Sequence, residues 1–173
     1  QKRLWVFDMA RDALLFHEHV AHGSGTGDNL ARRFSNEDGS HATSLGLFRT
    51  AETYQGGNGY SLRLDGLDAG FNDRARSRAI VMHGAWYVNP DLIRTQGRLG
   101  RSQGCPALRQ QVAKVVIDTL KQRQLLFSYA EDAAFLQLGR SFACDGRSAA
   151  QILAAARAGV FSAGGVGRAV SAP

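Results

Sequence analysis

The chain has 173 residues with 44% hydrophobic and 21% charged residues, and its formal net charge is +6. This length fits one domain with a sizeable core, and no stretch is long and apolar enough to span a bilayer. The basic residues are scattered, without a basic helix face or interleaved aromatic side chains, so we expect no nucleic-acid partner.

The N-terminal part is predicted to contain mostly short strands. Residues 3–9 and 13–20 are rich in aromatic and β-branched residues and flank a short polar break, which predicts a β-hairpin. Residues 22–41 are polar and glycine-bearing, so we expect a loop with one helical turn near residues 30–34. Further strands are predicted at 45–49, 60–64 and 79–83, with a glycine-rich turn at 56–59. Such closely spaced short strands favour a mainly antiparallel sandwich or barrel.

Helical periodicity begins after Pro106. Apolar residues recur between Leu108 and Leu120 at the spacing of an amphipathic helix, and proline is well tolerated in a first helical turn. Residues 125–129 predict another strand, and residues 148–158 predict a further helix.

Cys105 lies in the sequence GRSQGCPAL, residues 100–108. It has three possible roles: a nucleophile, half of a disulfide with Cys144, or a small buried hydrophobic residue. Gly104 permits close backbone approach, and Pro106 is predicted to start a helix. The thiol is then expected at a helix N-terminus, where the dipole lowers its pKa and free N–H groups are available to an oxyanion. This setting favours the nucleophile.

A nucleophilic cysteine needs a base, and the chain has five histidines. His83 ends the apolar stretch AIVMHG and precedes Gly84, so its ring is expected to emerge at a sheet edge. No Cys/His cluster completes a metal site. The remaining histidines are therefore interpreted as surface residues: His17, His19, His22 and His41.

Together, HG (83–84) and SQGC (102–105) resemble the YkuD-type L,D-transpeptidases of bacterial cell walls. In that family a His-Gly precedes a Ser-x-Gly-Cys by a loop of similar length. The sequence is most similar to the murein L,D-transpeptidase catalytic domain-like branch. The similarity extends over residues 34–108, is weaker over 3–23, and is absent beyond 124.

The resemblance implies a mainly β (α+β) fold. We expect a YkuD-like β-sandwich of mixed and antiparallel sheets, with the catalytic cysteine at the N-terminus of a helix and a further C-terminal helix. Residues 1–145 would form the L,D-transpeptidase catalytic domain. Residues 146–173 would form a C-terminal helix and a flexible Ala/Gly-rich tail.

The resemblance also implies roles for the motif residues. Cys105 would attack a peptidoglycan stem peptide, and His83 would act as the base. The carbonyl of Gly84 would orient the imidazole, and the N–H groups of Gly104 and Cys105 would hold the oxyanion. A thioester would form with loss of the terminal D-residue and then pass to an amine of a neighbouring stem. No metal, nucleotide or organic cofactor is expected.

Two departures from the wider family concern substrate contacts. The family often has histidine where this chain has Gln103, and arginine where this chain has Ala107. A guanidinium that binds a substrate carboxylate is therefore sought elsewhere, and Arg101, Arg109 and Arg78 are the candidates. The other expected substrate contacts are Ser102, Tyr60, Ser44, Asn72 and Tyr87.

The expected activity is peptidoglycan L,D-transpeptidation, forming either 3-3 cross-links between diaminopimelate residues or 1-3 cross-links to the first stem residue. The alternatives are an L,D-carboxypeptidase or D-amino acid exchange enzyme, a sortase-like transpeptidase, and a non-catalytic peptidoglycan-binding domain. Gln1 is not an initiator methionine, so we expect a processed or excised chain that has lost a signal peptide. The expected protein is a monomer of the periplasm or cell envelope whose partners are diaminopimelate-containing stem peptides.

Overall fold

The computed structural model describes residues 1–141 together with Gln151 and Ala154. Two compact units divide the chain, Gln1–Ala130 and Glu131–Pro173. The boundary after residue 145 that we predicted from the sequence stays a prediction. Cys144 and most of the helix predicted at 148–158 lie outside the described residues, although Gln151 and Ala154 are helical.

The first unit opens with the predicted hairpin. Strand β1 (Leu4–Asp8) pairs antiparallel with β2 (Ala13–Glu18). Alternate residues of β1 differ in burial: Leu4 and Val6 are buried, whereas Trp5 and Phe7 are exposed. This period of two is that of a strand with one face on the core, so the hairpin contributes one apolar row to the interior.

Six further strands form one mixed sheet. In chain order they are β3 (Val20–Ala21), β4 (Gly46–Gly56), β5 (Gly59–Gly66), β6 (Val81–Ala85), β7 (Ala107–Arg109) and β8 (Leu125–Ser128). Their order in the sheet is β3-β7-β6-β5-β4-β8, and only β6 and β7 run parallel. The strands predicted at 45–49, 60–64 and 125–129 are confirmed, as is the turn at 56–59. The strand predicted at 79–83 forms two residues later, so His83 lies in its middle rather than at its end. The mainly β, α+β fold class is therefore confirmed.

The helices within the described residues are α1 (Pro90–Gln96), α2 (Gln110–Leu120) and α3 (Ala133–Leu138). In α1, the Asn89 side chain accepts a hydrogen bond from the N–H of Asp91, and the helix ends at Gly97. The helical turn predicted at 30–34 is wrong, since the turn forms instead at Ser24–Thr26. Along the described part of the chain, no helix has the length and apolarity to cross a membrane.

The helix predicted to start at Pro106 begins four residues later, at Gln110. Ala107 and Leu108 form strand β7 instead, because β3 binds one edge of this segment and β6 the other. Apolar spacing alone did not separate the two structures, since Leu108 faces the core in either one. Cys105 therefore precedes a strand, and its predicted position at a helix N-terminus is wrong.

One face of the sheet packs against α2. Leu62 of β5, Met82 of β6 and Leu108 of β7 share a buried cluster with the helix and with β1. Full burial of each such side chain stabilises the fold by about 1.5–3 kcal/mol. A Cβ on Gly84 would lie 2.9 Å from the Cβ of Ala113 in α2, so the helix approaches β6 closely at this glycine. The opposite face of the same three strands carries the residues described next.

Candidate active site

His83 and Cys105 lie on neighbouring strand segments. Parallel pairing places His83 of β6 opposite Ala107, two residues after Cys105. Two residues before His83, the N–H of Val81 donates to the Cys105 Sγ at 3.4 Å. Cys105 lies in the bend that leads into β7, so the fold brings the segment that carries the thiol alongside the strand that carries the imidazole.

The Cys105 thiol is free, 9% exposed, and held by backbone groups. Besides the N–H of Val81, it contacts the carbonyl oxygen of Ala79, with Sγ 3.8 Å away. Ala79 has a φ of 52°, a left-handed conformation that costs a non-glycine residue about 1–2 kcal/mol. The free thiol favours the nucleophile over a disulfide with Cys144.

The pKa of Cys105 is raised, contrary to the sequence expectation. Burial disfavours the thiolate and is the largest effect, whereas the Val81 N–H and the positive charge of Arg78 lower the pKa. The expected lowering relied on a helix N-terminus, and that helix begins at Gln110. The thiol is therefore protonated at neutral pH.

His83 is 4% exposed and forms one hydrogen bond that defines its tautomer. Its Nδ1 lies 3.0 Å from the carbonyl oxygen of Gly84. A carbonyl only accepts, so Nδ1 carries the hydrogen and Nε2 carries a lone pair. The ring is thus held in the form that accepts a proton at Nε2.

The turn that carries Cys105 is closed by Ser102. The Ser102 hydroxyl donates to the Cys105 carbonyl at 2.6 Å and accepts from the Gly104 N–H at 3.2 Å. The Gly104 N–H, an expected oxyanion donor, is therefore bound within the turn. Gly104 has a φ of 114°, and a Cβ there would lie 2.9 Å from the carbonyl oxygen of Ala42. The close backbone approach predicted at this glycine is confirmed.

Arg78 joins residues 35–44 to the site. Its guanidinium donates to the carbonyl oxygens of Ser35 and Ala42, at 2.9 and 3.0 Å, and to the hydroxyls of Ser40 and Ser44, at 3.1 and 2.6 Å. Every acceptor is neutral, so the bonds leave its charge uncompensated. Ser44 is buried and donates to the Ser35 carbonyl. Arg78 and Ser44, two of the expected substrate contacts, therefore hold residues 35–44 beside Gly104.

Asn72 and Tyr60, two further expected substrate contacts, have structural roles. Asn72 is fully buried; its amide bridges the Leu47 carbonyl and the Asp68 N–H. A side chain without exposed surface cannot contact a substrate directly. Tyr60 packs beside the α2 cluster and donates to Asp118 at 2.8 Å. Since residues 60 and 62 share a face, Tyr60 lies on the α2 side of the sheet, away from His83.

Tyr87 and Arg101 border the site. Burial, followed by the negative charge of a Cys105 thiolate, raises the pKa of Tyr87 to about 12. Gly100 donates from its N–H to the Tyr87 carbonyl at 2.9 Å. Arg101 donates to the Gly27 carbonyl and to the Asp28 carboxylate, at 3.1 and 2.8 Å.

His22 is a residue whose place sequence reasoning missed. It was interpreted as a surface residue of a loop, but its carbonyl accepts from the Ser102 N–H at 3.0 Å. A Cβ on the next residue, Gly23, would lie 2.8 Å from the backbone of Gly104. The closely spaced glycines of HGSGTG (22–27) are the sequence signal that indicates this backbone-to-backbone packing.

Comparisons with known proteins identify the family of this chain. Neither a curated protein nor a solved structure matches the chain significantly. A family model described as the L,D-transpeptidase catalytic domain matches residues 1–129. The matched part contains the hairpin, the mixed sheet and the segments that carry His83 and Cys105. The chain therefore belongs to the L,D-transpeptidase catalytic domain family.

Proposed function

We propose that the chain is a cysteine L,D-transpeptidase of peptidoglycan, with Cys105 as the nucleophile and His83 as the general base. The observation that supports this most strongly is the hydrogen bond from His83 Nδ1 to the Gly84 carbonyl. His83 lies on β6, the strand that runs beside the segment with Cys105. The hydrogen bond leaves Nε2 able to accept the thiol proton, and the carbonyl takes the place of the third member of a catalytic triad.

The first half-reaction transfers an acyl group to Cys105. Because the raised pKa keeps the thiol protonated at neutral pH, its proton passes to His83 Nε2 as the sulfur attacks the stem-peptide carbonyl. The C–S bond forms, and the carbonyl electrons move to oxygen. Collapse of this intermediate breaks the C–N bond to the terminal D-residue. The departing amine takes the proton from His83 and leaves a thioester.

The second half-reaction transfers the acyl group to an acceptor amine. The amine attacks the thioester, its proton passes to His83, and the C–S bond breaks to release the cross-linked product. The thiol then recovers its proton from His83. An acceptor on diaminopimelate gives a 3-3 link, and one on the first stem residue gives a 1-3 link. Water or a free D-amino acid as acceptor gives carboxypeptidase or exchange activity.

Two local rearrangements accompany this reaction. The Sγ must turn away from the Ala79 carbonyl toward His83 when a substrate enters. The Gly104 N–H must leave the Ser102 hydroxyl if it is to stabilise the oxyanion, with the Cys105 N–H as the second donor. Such catalytic hydrogen bonds commonly form only in the substrate complex.

The proposed setting is the periplasm or cell envelope, where the chain would act as a monomer on diaminopimelate-containing stems. In this role it would be acylated by carbapenems and be insensitive to penicillins. A carbapenem adduct is expected on Cys105, detected by mass spectrometry of peptides. An adduct on Cys144 instead would contradict the assignment of the nucleophile.

The direct test is incubation with disaccharide-tetrapeptides, followed by mass spectrometry of the products. We expect the wild type and Cys144→Ala to form dimers or release D-Ala, and Cys105→Ala to form neither. The balance of dimer, hydrolysis and exchange products then identifies the acceptor. If the wild-type protein leaves the substrate unaltered but still binds sacculi, the proposed enzymatic activity is contradicted. The chain would then be a peptidoglycan-binding domain.

A further inference from the structure

A cavity of about 300 Å³ lies beside the turn Ser102–Cys105, and its wall is rich in arginine. It is bounded by the start of β1, the loop after β3, and the segment that follows α1. We call it the arginine cavity. Its charged side chains are Arg3, Arg98, Arg101 and Asp28. The wall therefore carries three guanidinium groups and one carboxylate.

Among the described residues, the positive charge of this cavity exceeds the negative charge that pairs with it. Asp28 pairs with Arg101, and 85% of its side chain is exposed. Arg3 donates to the Val20 carbonyl and the His22 ring, and Arg98 donates to the Leu99 carbonyl. Within the described part of the chain, neither Arg3 nor Arg98 has a carboxylate partner. A guanidinium has five N–H donors, so both retain donors for a ligand.

His22 is built into the wall as a neutral residue. Its Nδ1 accepts from Arg3 at 3.1 Å, and its Nε2 lies within 3.3 Å of the Gly27 and Asp28 carbonyl oxygens. Nε2 must therefore be the protonated nitrogen. Burial, followed by the charge of Arg3, lowers the pKa of His22. The imidazole thus orients Arg3 and adds no charge of its own.

The wall of the cavity is bonded to the turn that carries Cys105. The Ser102 N–H donates to the His22 carbonyl at 3.0 Å, and the Ser24 N–H donates to the Ser102 carbonyl at 2.8 Å. Arg101 precedes Cys105 by four residues, a span of at most about 14 Å even when fully extended. A stem tetrapeptide has similar reach, so one peptide can contact both the thiol and the cavity.

We propose that the arginine cavity binds free carboxylate groups of the peptide substrate, with Arg3 and Arg98 as the direct ligands and Arg101 as a positioning residue. The proposal rests on the proposed function for the identity of the peptide. Guanidinium groups bind carboxylates through two parallel N–H donors, which gives both affinity and orientation. The cavity accordingly selects peptides with free carboxylates and seats them next to Cys105.

Direct binding provides the test. Isothermal titration calorimetry would use the Cys105→Ala chain with a diaminopimelate-containing tetrapeptide and with the same peptide amidated at its carboxylates. Amidation and the pair Arg3→Gln with Arg98→Gln are each expected to weaken binding by at least about tenfold. Arg94→Gln is the matched control, since Arg94 is exposed on α1 and paired with Asp91. It should bind like the parent.

The outcomes separate this inference from the proposed reaction. Equal affinity for the amidated peptide, parental affinity of the paired variant, or absence of binding would each overturn the cavity's role. In the otherwise wild-type chain, the paired variant should raise KM with little change in kcat. It should also keep the parent's rate of Cys105 alkylation by iodoacetamide. If the chain binds peptides in a carboxylate-dependent way but turns over no muropeptide, the proposed reaction is contradicted. The carboxylate-binding role of the cavity is then still supported.

Discussion

Arg76 and Arg78 stand two residues apart in RARSR (74–78), yet they belong to regions of opposite character. Arg76 lies in an exposed network, where it donates to Glu52 at 2.8 Å and also contacts Asp65. Arg78 donates to four neutral oxygens of residues 35–44 and lies close enough to Cys105 to lower its pKa. The same residue type thus neutralises charge in one region and supplies it in the other.

The difference between the regions is burial. In the exposed network the side chain of Arg76 lowers the pKa of Glu52 to about 2, and both groups remain in water. Burial lowers the pKa of Arg78 instead, with the charges of Asp38 and Cys105 acting against that effect and Arg74 adding to it. An exposed ion pair is screened and contributes little. A charge held by neutral acceptors near a buried thiol retains its field, so we expect changes in the two regions to differ in kind.

The largest loss of stability is expected from Gly104→Ala, in the turn Ser102–Cys105. The new Cβ would meet the Ala42 carbonyl at 2.9 Å in a residue with φ of 114°. We expect a destabilisation of about 3 kcal/mol or more in urea unfolding, with loss of muropeptide turnover. Gly39→Ala is the control, because Gly39 has φ of 67° and no atom within 4 Å. Similar losses in both variants would refute the role of the contact with Ala42.

Ser102→Ala should have the next largest effect. It leaves the buried Gly104 N–H and Cys105 carbonyl without their partner. The expected destabilisation is about 1–3 kcal/mol, measured by urea unfolding. Ser77→Ala removes a hydroxyl that bonds to a carbonyl in an exposed position and should change stability by less than about 0.5 kcal/mol. Equal values for the two variants would show that the turn does not depend on Ser102.

Arg78→Met tests the field at the thiol. Arg78 lowers the pKa of Cys105 through its positive charge, so loss of that charge is expected to raise the pKa further. The rate of alkylation by iodoacetamide, measured against pH, should therefore inflect at higher pH than in the wild type. Arg78→Lys keeps the charge and should restore most of the difference. The matched change Arg76→Met should leave the pH profile of alkylation unaltered. A shift of equal size in that variant would contradict the difference between the regions of Arg76 and Arg78.

Arg76→Gln should give the smallest effect on stability, and that effect should be weaker at high salt. Its pH dependence has a defined sign. The pKa of Glu52 is lowered from 4.5 to about 2, so the stabilisation is present above pH 4.5 and is lost as the pH falls toward 2. Urea unfolding across this range should show a shallower decline in Arg76→Gln than in the wild type. An unchanged decline would place the acid sensitivity elsewhere.

Local sequence patterns predicted most of the sheet. Alternating burial in β1 follows alternating residue types, and the glycines at 56–59 form the predicted turn between β4 and β5. Where the pattern was ambiguous, tertiary pairing decided. Residues 107–109 fit a helix by spacing, but the neighbouring strands β3 and β6 draw them into the sheet.

The candidate site was predicted in part. The motifs predicted His83 and Cys105 as partners, and the fold places His83 on β6 and Cys105 in the bend two residues before the neighbouring β7 pairs with it. The environment of the thiol was not predictable, since the Val81 N–H and the charge of Arg78 come from residues 24 or more positions away. Asn72 and Tyr60 illustrate the same limit, because polar residues near a motif can face the core or the opposite side of a sheet.

The sequence by itself determined the mainly β fold class, the hairpins, and the two short motifs that carry the proposed nucleophile and the proposed base. These features depend on residue type and spacing along a few neighbouring positions. Only the tertiary structure decided that Cys105 precedes a strand, that its pKa is raised, and that two arginines without a carboxylate partner in the described part of the chain lie near its turn. Burial and electrostatics depend on distances between residues remote in the chain, and those distances exist only once the sheet has formed.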